Sequence, residues 1–287
     1  MKKIRYILII CLSAQLLSCK SKENQEEADI ESFLPKDAVF ELLADTTAGL
    51  NSDSLIVFLD FYNNPCVMFN GVVSDILNDT AVTDFRYIVN VPLPITSICC
   101  YDNGDMFTIA QNELYQYKEN KSVKLAELPA NDLKLEKADY NKLYIYGAVS
   151  DSINELYFFD VKKSKVETLV SSRDKISAVF GNGDTTYVSI ANSVLMLANG
   201  EIQPILENID ATSLTVIDGK LFFANDEFIG VCFAPYKFIP LIQIGATQLL
   251  SDYSQLYIVF ANGAFASLSN IASFDNFCAT IDSIVAP

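Results

Sequence analysis

The sequence of 287 residues contains no histidine and no tryptophan. Without histidine the chain cannot form a Ser-His-Asp triad, a Cys-His nucleophile or a histidine-ligated metal site. Glycine-rich phosphate loops are missing too, because neither the P-loop nor the dinucleotide fingerprint occurs. These absences exclude the common histidine-dependent peptidases and the nucleotide-binding enzymes with those motifs.

Positive charge is also scarce, with 20 lysine and arginine residues against 36 aspartate and glutamate residues and a formal net charge of -16. Such acidity opposes approach to phosphates, which argues against nucleic acid as a partner. Two interpretations stay open. The charge favours cationic partners, or it simply keeps an exported domain soluble.

The first residues have the pattern of an export signal. Three basic residues within the first five precede an apolar segment over 6–17, which is too short to span a bilayer as a helix. The segment ends in Leu16-Leu17-Ser18-Cys19, which resembles a bacterial lipobox and predicts a lipoprotein signal peptide over 1–18, with lipid attached to Cys19. The alternative is an ordinary cleavable signal followed by a chance cysteine.

Residues 19–36 are polar and acidic, without the apolar period of a helix or strand. Such a composition cannot bury enough surface to offset the entropy of ordering, so it predicts a flexible tether. The position of this segment resembles the short acidic stretch that directs lipoproteins to the outer surface in Bacteroidetes-type bacteria.

Five cysteines remain in the chain after Cys19, and they are Cys66, Cys99, Cys100, Cys232 and Cys278. Their number is odd, so at least one thiol stays free or pairs between chains. Each lies among apolar residues, which predicts small buried hydrophobic side chains rather than a metal site. Adjacent cysteines on a strand point to opposite faces.

The rest of the chain repeats one hairpin unit. Its clearest copy is 215–223, in which two apolar runs flank Asp218-Gly219, a strong short-range hairpin pattern. Diverged four-strand copies follow one another along the chain. We place them at Val39–Val91, Ile95–Leu128, Leu133–Val170, Ile176–Glu207, Ala211–Ile244 and Ala246–Val285.

The strongest strands of these copies begin near residues 55, 106, 143, 185, 221 and 256, at separations of 51, 37, 42, 36 and 35 residues. Four short strands per period of roughly 40 residues predict a β-propeller, and six copies predict six blades in one all-β domain over 37–287. A long β-sandwich or two stacked barrels is the alternative. Residues 38–43 either complete the last blade or form the innermost strand of the first.

The export pattern and the period together resemble exported bacterial six-bladed β-propellers anchored as lipoproteins, of the Bacteroidetes type. The chain has neither a WD dipeptide nor a kelch double glycine, so no named repeat family and no functional residues carry over. The resemblance implies a lipid-anchored location in the bacterial cell envelope, at the outer membrane on its periplasmic or surface face.

Polar residues between the second and third predicted strands form the candidate site. Loops of this kind share one rim of a propeller, so we expect a ring of oxygen ligands around one mouth of the channel. The alternative is that they are solvated turn residues, as we also interpret Asp102-Asn103-Gly104-Asp105. The predicted rim consists of Asn64, Glu113, Asp151, Asn192, Asp226, Glu227 and Asn262.

Without catalytic residues, the sequence favours a non-enzymatic binding module for another envelope component, a peptide or a glycan. It predicts no cofactor and no metal site, calcium being the one ion that a carboxylate rim could hold. The alternative function is a calcium-dependent propeller hydrolase or lyase that uses carboxylates alone.

We expect Cys19→Ala to release the protein from membranes, because several acyl chains on one cysteine give stable membrane residence where one chain is marginal. Fractionation of cells with and without detergent measures the change. Cys11→Ala, inside the signal, is the matched control and should leave the protein membrane-bound. Unchanged membrane association of the Cys19 variant would contradict the anchor.

Overall fold

The computed structural model describes residues 34–35, 37–44, 55–69, 72–76, 80–81, 94–101, 103–118, 121–130, 132–138, 141–252 and 254–270. The predicted signal peptide over 1–18, Cys19 and the tether as far as residue 33 lie outside these residues. Every regular element of the described part is a β-strand, and 24 strands form six four-stranded antiparallel sheets. The sheets are the blades of a six-bladed β-propeller, as the sequence predicts.

Blades 1 to 3 follow the chain from the second strand onward, each running from the innermost strand to the outermost. Blade 1 contains β2 (Leu55–Leu59), β3 (Pro65–Phe69), β4 (Val72–Asp75) and β5 (Thr80–Ala81). Blade 2 contains β6 (Ile95–Cys100), β7 (Met106–Ala110), β8 (Glu113–Lys118) and β9 (Lys121–Glu127). Blade 3 contains β10 (Lys134–Lys137), β11 (Lys142–Ser150), β12 (Ile153–Asp160) and β13 (Lys165–Ser172).

Blades 4 and 5 repeat this order, and blade 6 takes its outermost strand from the start of the chain. Blade 4 contains β14 (Ile176–Asn182), β15 (Thr185–Ile190), β16 (Ser193–Ala198) and β17 (Glu201–Glu207). Blade 5 contains β18 (Ser213–Ile217), β19 (Lys220–Ala224), β20 (Ile229–Ala234) and β21 (Lys237–Ile242). Blade 6 contains β22 (Ala246–Ser251), β23 (Gln255–Phe260), β24 (Phe265–Ser269) and β1 (Val39–Ala44).

Strand β1 closes the ring by pairing antiparallel with β24, from Val39 opposite Ser269 to Leu42 opposite Ala266. Of the two predicted arrangements, the one in which this segment completes the last blade is therefore correct. The Phe40 side chain packs into the core of blades 5 and 6, and its ring centroid lies 6.5 Å from that of Phe260. The predicted extension of the last repeat to residue 285 lies outside the described residues.

Blade 1 differs from its predicted alignment. The strand that begins at Leu55 is the innermost of its blade, whereas the five strong strands that the sequence analysis compared with it are the second strands of blades 2 to 6. The true second strand, β3, begins at Pro65 and precedes the second strand of blade 2 at Met106 by 41 residues. That spacing matches the other repeats, so the long first interval came from comparing non-equivalent strands. The end of the first predicted copy, over 85–91, lies outside the described residues.

The core lies between the blades, because each sheet buries both faces against its neighbours. On β6, Cys100 packs with Phe58 of blade 1, whereas Cys99 packs with Leu133 and Leu135 of blade 3. The two cysteines therefore point to opposite faces, as predicted. Four of the five thiols that were predicted to be buried are buried, and Cys278 lies outside the described residues. Burial raises the pKa of the Cys66 thiol to about 12, so this side chain behaves as a small hydrophobe.

Antiparallel order gives the propeller two distinct faces. Face A carries the loops between the second and third strands and the connections from one blade to the next. Face B carries the turns between the first and second strands and between the third and fourth strands. All innermost strands run from face A to face B, and all outermost strands run back from face B to face A.

We expect Phe40→Ala to lower the free energy of unfolding by about 2 kcal/mol, because it removes a partly buried ring from the closing strand. Urea unfolding measures the effect. Glu41→Ala, an exposed position on the same strand, is the control and should shift stability by less than about 0.5 kcal/mol. Equal unfolding midpoints for the two variants would contradict a stabilising role for β1.

Candidate functional site: the central channel

The innermost strands of the six blades surround a central channel of about 940 Å³. Each of these strands pairs with only one neighbour, so its other edge faces the channel. The walls combine backbone groups and hydroxyls with partly exposed apolar side chains such as Leu55, Val216 and Leu250. The channel can therefore offer both hydrogen bonds and apolar contacts to a ligand.

Threonines line the channel mouth on face A, where several inner strands carry a β-bulge. The ladder shifts register at Thr96 in blade 2 and at Thr247 in blade 6. A bulge leaves a carbonyl of the second strand without its ladder partner. The Thr96 hydroxyl donates to the Ile109 carbonyl at 3.4 Å, and the Thr247 hydroxyl donates to the Val259 carbonyl at 3.3 Å. The bulge thus fixes a hydroxyl at the mouth of the channel.

Hydroxyl and amide side chains also join neighbouring inner strands. The Ser97 Oγ accepts a hydrogen bond from the Leu135 backbone amide at 2.9 Å, and Ser213 Oγ accepts one from Leu249 at the same distance. Between blades 6 and 1, Gln248 Nε2 donates to the Val57 carbonyl at 2.9 Å. These bonds satisfy backbone groups that have no strand partner, and they hold the channel wall together.

The channel mouth on face B is lined by amides and carboxylates from the turns that follow the inner strands. In blade 5, Asp218 has a positive φ of 53° and Gly219 one of 74°, the geometry that the predicted Asp-Gly hairpin requires. In blade 6, Asp252 Oδ1 accepts hydrogen bonds from the amides of Ser254 and Gln255 at 2.8 and 2.7 Å. The ring consists of Asn63, Asn103, Asn182, Asp218 and Asp252.

Blade 3 contributes charged side chains to the channel wall. Burial raises the pKa of Glu136 to about 7, although its hydrogen bond from the Lys137 amide at 3.0 Å and the Lys137 charge oppose the shift. At the face A mouth, burial together with the charge of Lys175 lowers the pKa of Lys134. The channel therefore contains a carboxyl group that is partly protonated near neutral pH.

The structure separates the predicted rim residues from the channel. Asp151, Asn192, Asp226, Glu227 and Asn262 do lie in loops between second and third strands on face A, and Glu113 begins the third strand of blade 2. Asn64 instead lies between β2 and β3, the first and second strands of blade 1, which puts it on face B.

None of these seven residues lines the channel. The prediction that they ring its mouth is corrected, because a loop between second and third strands begins one strand farther from the axis. The ring at the face B mouth comes from the first turns instead. Asn103 of that ring belongs to the Asp-Asn-Gly-Asp segment, which the sequence identified as a turn without placing it at the channel.

Several rim residues have local structural contacts. Glu113 accepts hydrogen bonds from Lys124 at 2.5 Å and from the Tyr115 hydroxyl, and these bonds lower the pKa of the carboxyl. Asn262 Oδ1 accepts from the Ala264 amide at 3.0 Å, and Asn64 Nδ2 donates to Asp60 at 3.2 Å.

Asp151, Asp226 and Glu227 are exposed on face A. Among the described residues, no group of three or more cysteine, aspartate or glutamate side chains is arranged to hold a metal ion.

No protein-family model matches the chain, and no curated protein matches it. Solved structures do share its fold. A gluconolactonase from Xanthomonas campestris matches with a TM-score of 0.61 at 11% identity, over 88% of this chain and 95% of that one. A virginiamycin B lyase from Staphylococcus aureus matches with a TM-score of 0.51 at 15% identity, over 74% and 79%.

The extracellular domain of a hybrid two-component system from B. thetaiotaomicron, BT4673, matches with a TM-score of 0.56 at 12% identity. The match covers 80% of this chain and 39% of that one, so this chain spans less than half of that domain. At these identities the likenesses show the propeller fold and no shared activity. In the part of the chain that the structure describes, no helix is long and apolar enough to cross a membrane.

We expect Glu136→Gln to stabilise the protein at pH 8 by roughly 1 to 3 kcal/mol and to change little at pH 4. The folded state raises the carboxyl pKa from 4.5 to about 7, so ionisation costs stability as the pH rises through this window. Urea unfolding at both pH values measures the difference. Glu167→Gln, on the exposed outer strand of blade 3, is the control, and an equal gain at both pH values would contradict the assignment.

Proposed function

We propose that this protein is an envelope-tethered, non-enzymatic binding module that takes its ligand, an envelope component such as a peptide or a glycan, into the central channel. The observation that carries the proposal is the channel itself, since its volume of about 940 Å³ falls within the range of ligand pockets. Its wall combines hydroxyls with apolar side chains. Peptides and sugars both present hydrogen-bonding groups beside apolar surface, and such a wall suits them.

The tethered location rests on the export pattern and on Cys19, which would attach the mature chain to the envelope by lipid. The fold match to an extracellular bacterial domain is consistent with an exported propeller. The outer membrane, on its periplasmic or surface face, is the location that we propose.

The exposed carboxylates on face A are a second candidate surface for the same function. Asp226 and Glu227 are adjacent and exposed in the loop of blade 5, and Asp151 is exposed in that of blade 3. Binding through these groups would depend on charge and would weaken with salt, because exposed ionic contacts are screened beyond about 8 to 10 Å at physiological ionic strength. The channel, by contrast, offers mostly uncharged contacts.

The two surfaces are tested by affinity capture of envelope peptides and glycans on immobilised protein, followed by mass spectrometry. Thr96→Trp with Thr247→Trp narrows the channel mouth on face A, where both side chains are exposed. Asp226→Asn with Glu227→Gln neutralises the rim at nearly constant size. We expect the channel variant to capture at least tenfold less ligand than the wild type, and the rim variant to capture as much as the wild type.

Loss of ligand capture in the rim variant alone would indicate that the ligand binds to the face A loops outside the channel. Equal capture by wild type and both variants would overturn both candidate surfaces. Calcium-dependent turnover of a lactone or glycan by the wild type would instead favour the hydrolase or lyase alternative. Unfolding midpoints for each variant separate loss of binding from loss of fold.

A further inference from the structure

Exposed apolar side chains recur at one height on the outer wall of the propeller. The outermost strands of blades 2 to 6 each carry one exposed large apolar side chain within their first three residues. Isolated exposures of this kind are ordinary, but here five lie near the starts of successive outermost strands. This apolar belt consists of Val123, Val166, Ile202, Phe238 and Val39, with exposed fractions of 52%, 48%, 60%, 36% and 48%.

The belt lies at face B, because every outermost strand begins there. Two tyrosines in turns of the same face add to it, Tyr62 with 75% and Tyr236 with 54% of the side chain exposed. Of the remaining exposed large apolar residues, Phe69 and Ile153 lie at face A and Leu42 lies partway along β1. The exposed apolar surface of the described residues is therefore concentrated at one face.

Exposed lysines accompany the belt in this otherwise acidic protein. They flank the turns between the third and fourth strands, mainly in the adjacent blades 2 and 3. Two of them pair with neighbouring carboxylates, Lys163 with Asp160 at 3.1 Å and Lys165 with Glu167 at 3.5 Å. Exposed pairs of this kind are weak, so Lys163 and Lys165 can also meet other anions. The set is Lys118, Lys121, Lys162, Lys163, Lys165 and Lys237.

We propose that face B lies against an anionic lipid surface, with the apolar belt inserted shallowly at the interface and the lysines beside the headgroup phosphates. Apolar side chains and lysines together are the composition that binds such interfaces. The belt follows the perimeter, with one residue in each of blades 2 to 6, and a flat surface can touch all of these points at once. A protein partner would need a continuous patch.

Two further observations support a lipid surface as the occupant. Strand β1 begins at Val39 on face B, so the residues before it join the propeller from that side, which is where the lipid on Cys19 would hold it. Carboxylates of face B lie away from the lysines of blades 2 and 3, with Asp218 and Asp252 at the channel mouth and Glu201 and Glu41 on the outermost strands of blades 4 and 6. Their repulsion by anionic headgroups would oppose deeper insertion.

This orientation presents face A to the surroundings. The threonine mouth of the channel and the carboxylate loops would then face away from the membrane, where a ligand can reach them. The inference does not depend on what that ligand is.

The absence of tryptophan from the chain allows a direct test of insertion. The chain over 20–287, which lacks the apolar export segment and Cys19, receives one tryptophan in the belt through Ile202→Trp or one at face A through Ile153→Trp. Vesicles of phosphatidylglycerol and phosphatidylcholine should shift the emission of the first tryptophan to the blue and leave the second unchanged. A shift in both, or in neither, would overturn the proposal.

Sedimentation with the same vesicles tests the charges. We expect Lys118→Gln with Lys121→Gln to reduce vesicle binding about tenfold or more at low salt. Arg173→Gln with Lys175→Gln, which removes two exposed cations from face A, is the matched control and should change binding less than twofold. An equal loss of vesicle binding in the two double variants would refute a contact specific to face B. Equal binding of the unlipidated wild-type protein to pure phosphatidylcholine vesicles and to vesicles that contain phosphatidylglycerol would refute an anionic contact.

Discussion

The structure depends on contacts between blades. No blade has an apolar face that it can bury alone, so each sheet is stable only between two neighbours, and the last must meet the first. That meeting is made by β1, which pairs with β24 and sends Phe40 into the core of blades 5 and 6. Blade 6 would otherwise leave the outer edge of β24 unpaired and part of its core open. The central channel exists only because the ring is closed.

The channel wall follows from the same constraint. Inner strands face one another across the axis without pairing, so their edge groups need partners from side chains or solvent. Ser97 and Ser213 supply such partners at equivalent places in two blades, and Gln248 does so at the closing interface. The polar side chains of the channel thus serve, before any ligand binds, to satisfy the hydrogen-bonding groups of the backbone. Binding can use the same groups, since hydroxyls both donate and accept.

Most of the fold could be predicted from sequence because the information is local. Asp218-Gly219 fixes a hairpin, and its repetition fixes the period and the number of blades. The predicted strand order of blade 1 was wrong because the strand at Leu55 is strongly apolar and its turn to Pro65 has no glycine. A strongly apolar strand was therefore taken for the second strand of the blade. The site could not be predicted in the same way. Glu136 lies in a Lys-Leu-Glu-Lys strand that looks solvent-exposed, and only the closed ring turns this strand toward the channel.

The closing pair also controls when this protein can fold. Val39 and Ser269 are in contact although 230 positions separate them in the chain. Contacts this distant in sequence form slowly, and β24 is synthesised last of the described strands. In the exported protein that we propose, the first strand would wait for a partner that has not yet crossed the membrane. The order of the strands would keep the chain loose enough to pass through a translocation pore, and it would delay the compact state until nearly all of the propeller had emerged on the other side.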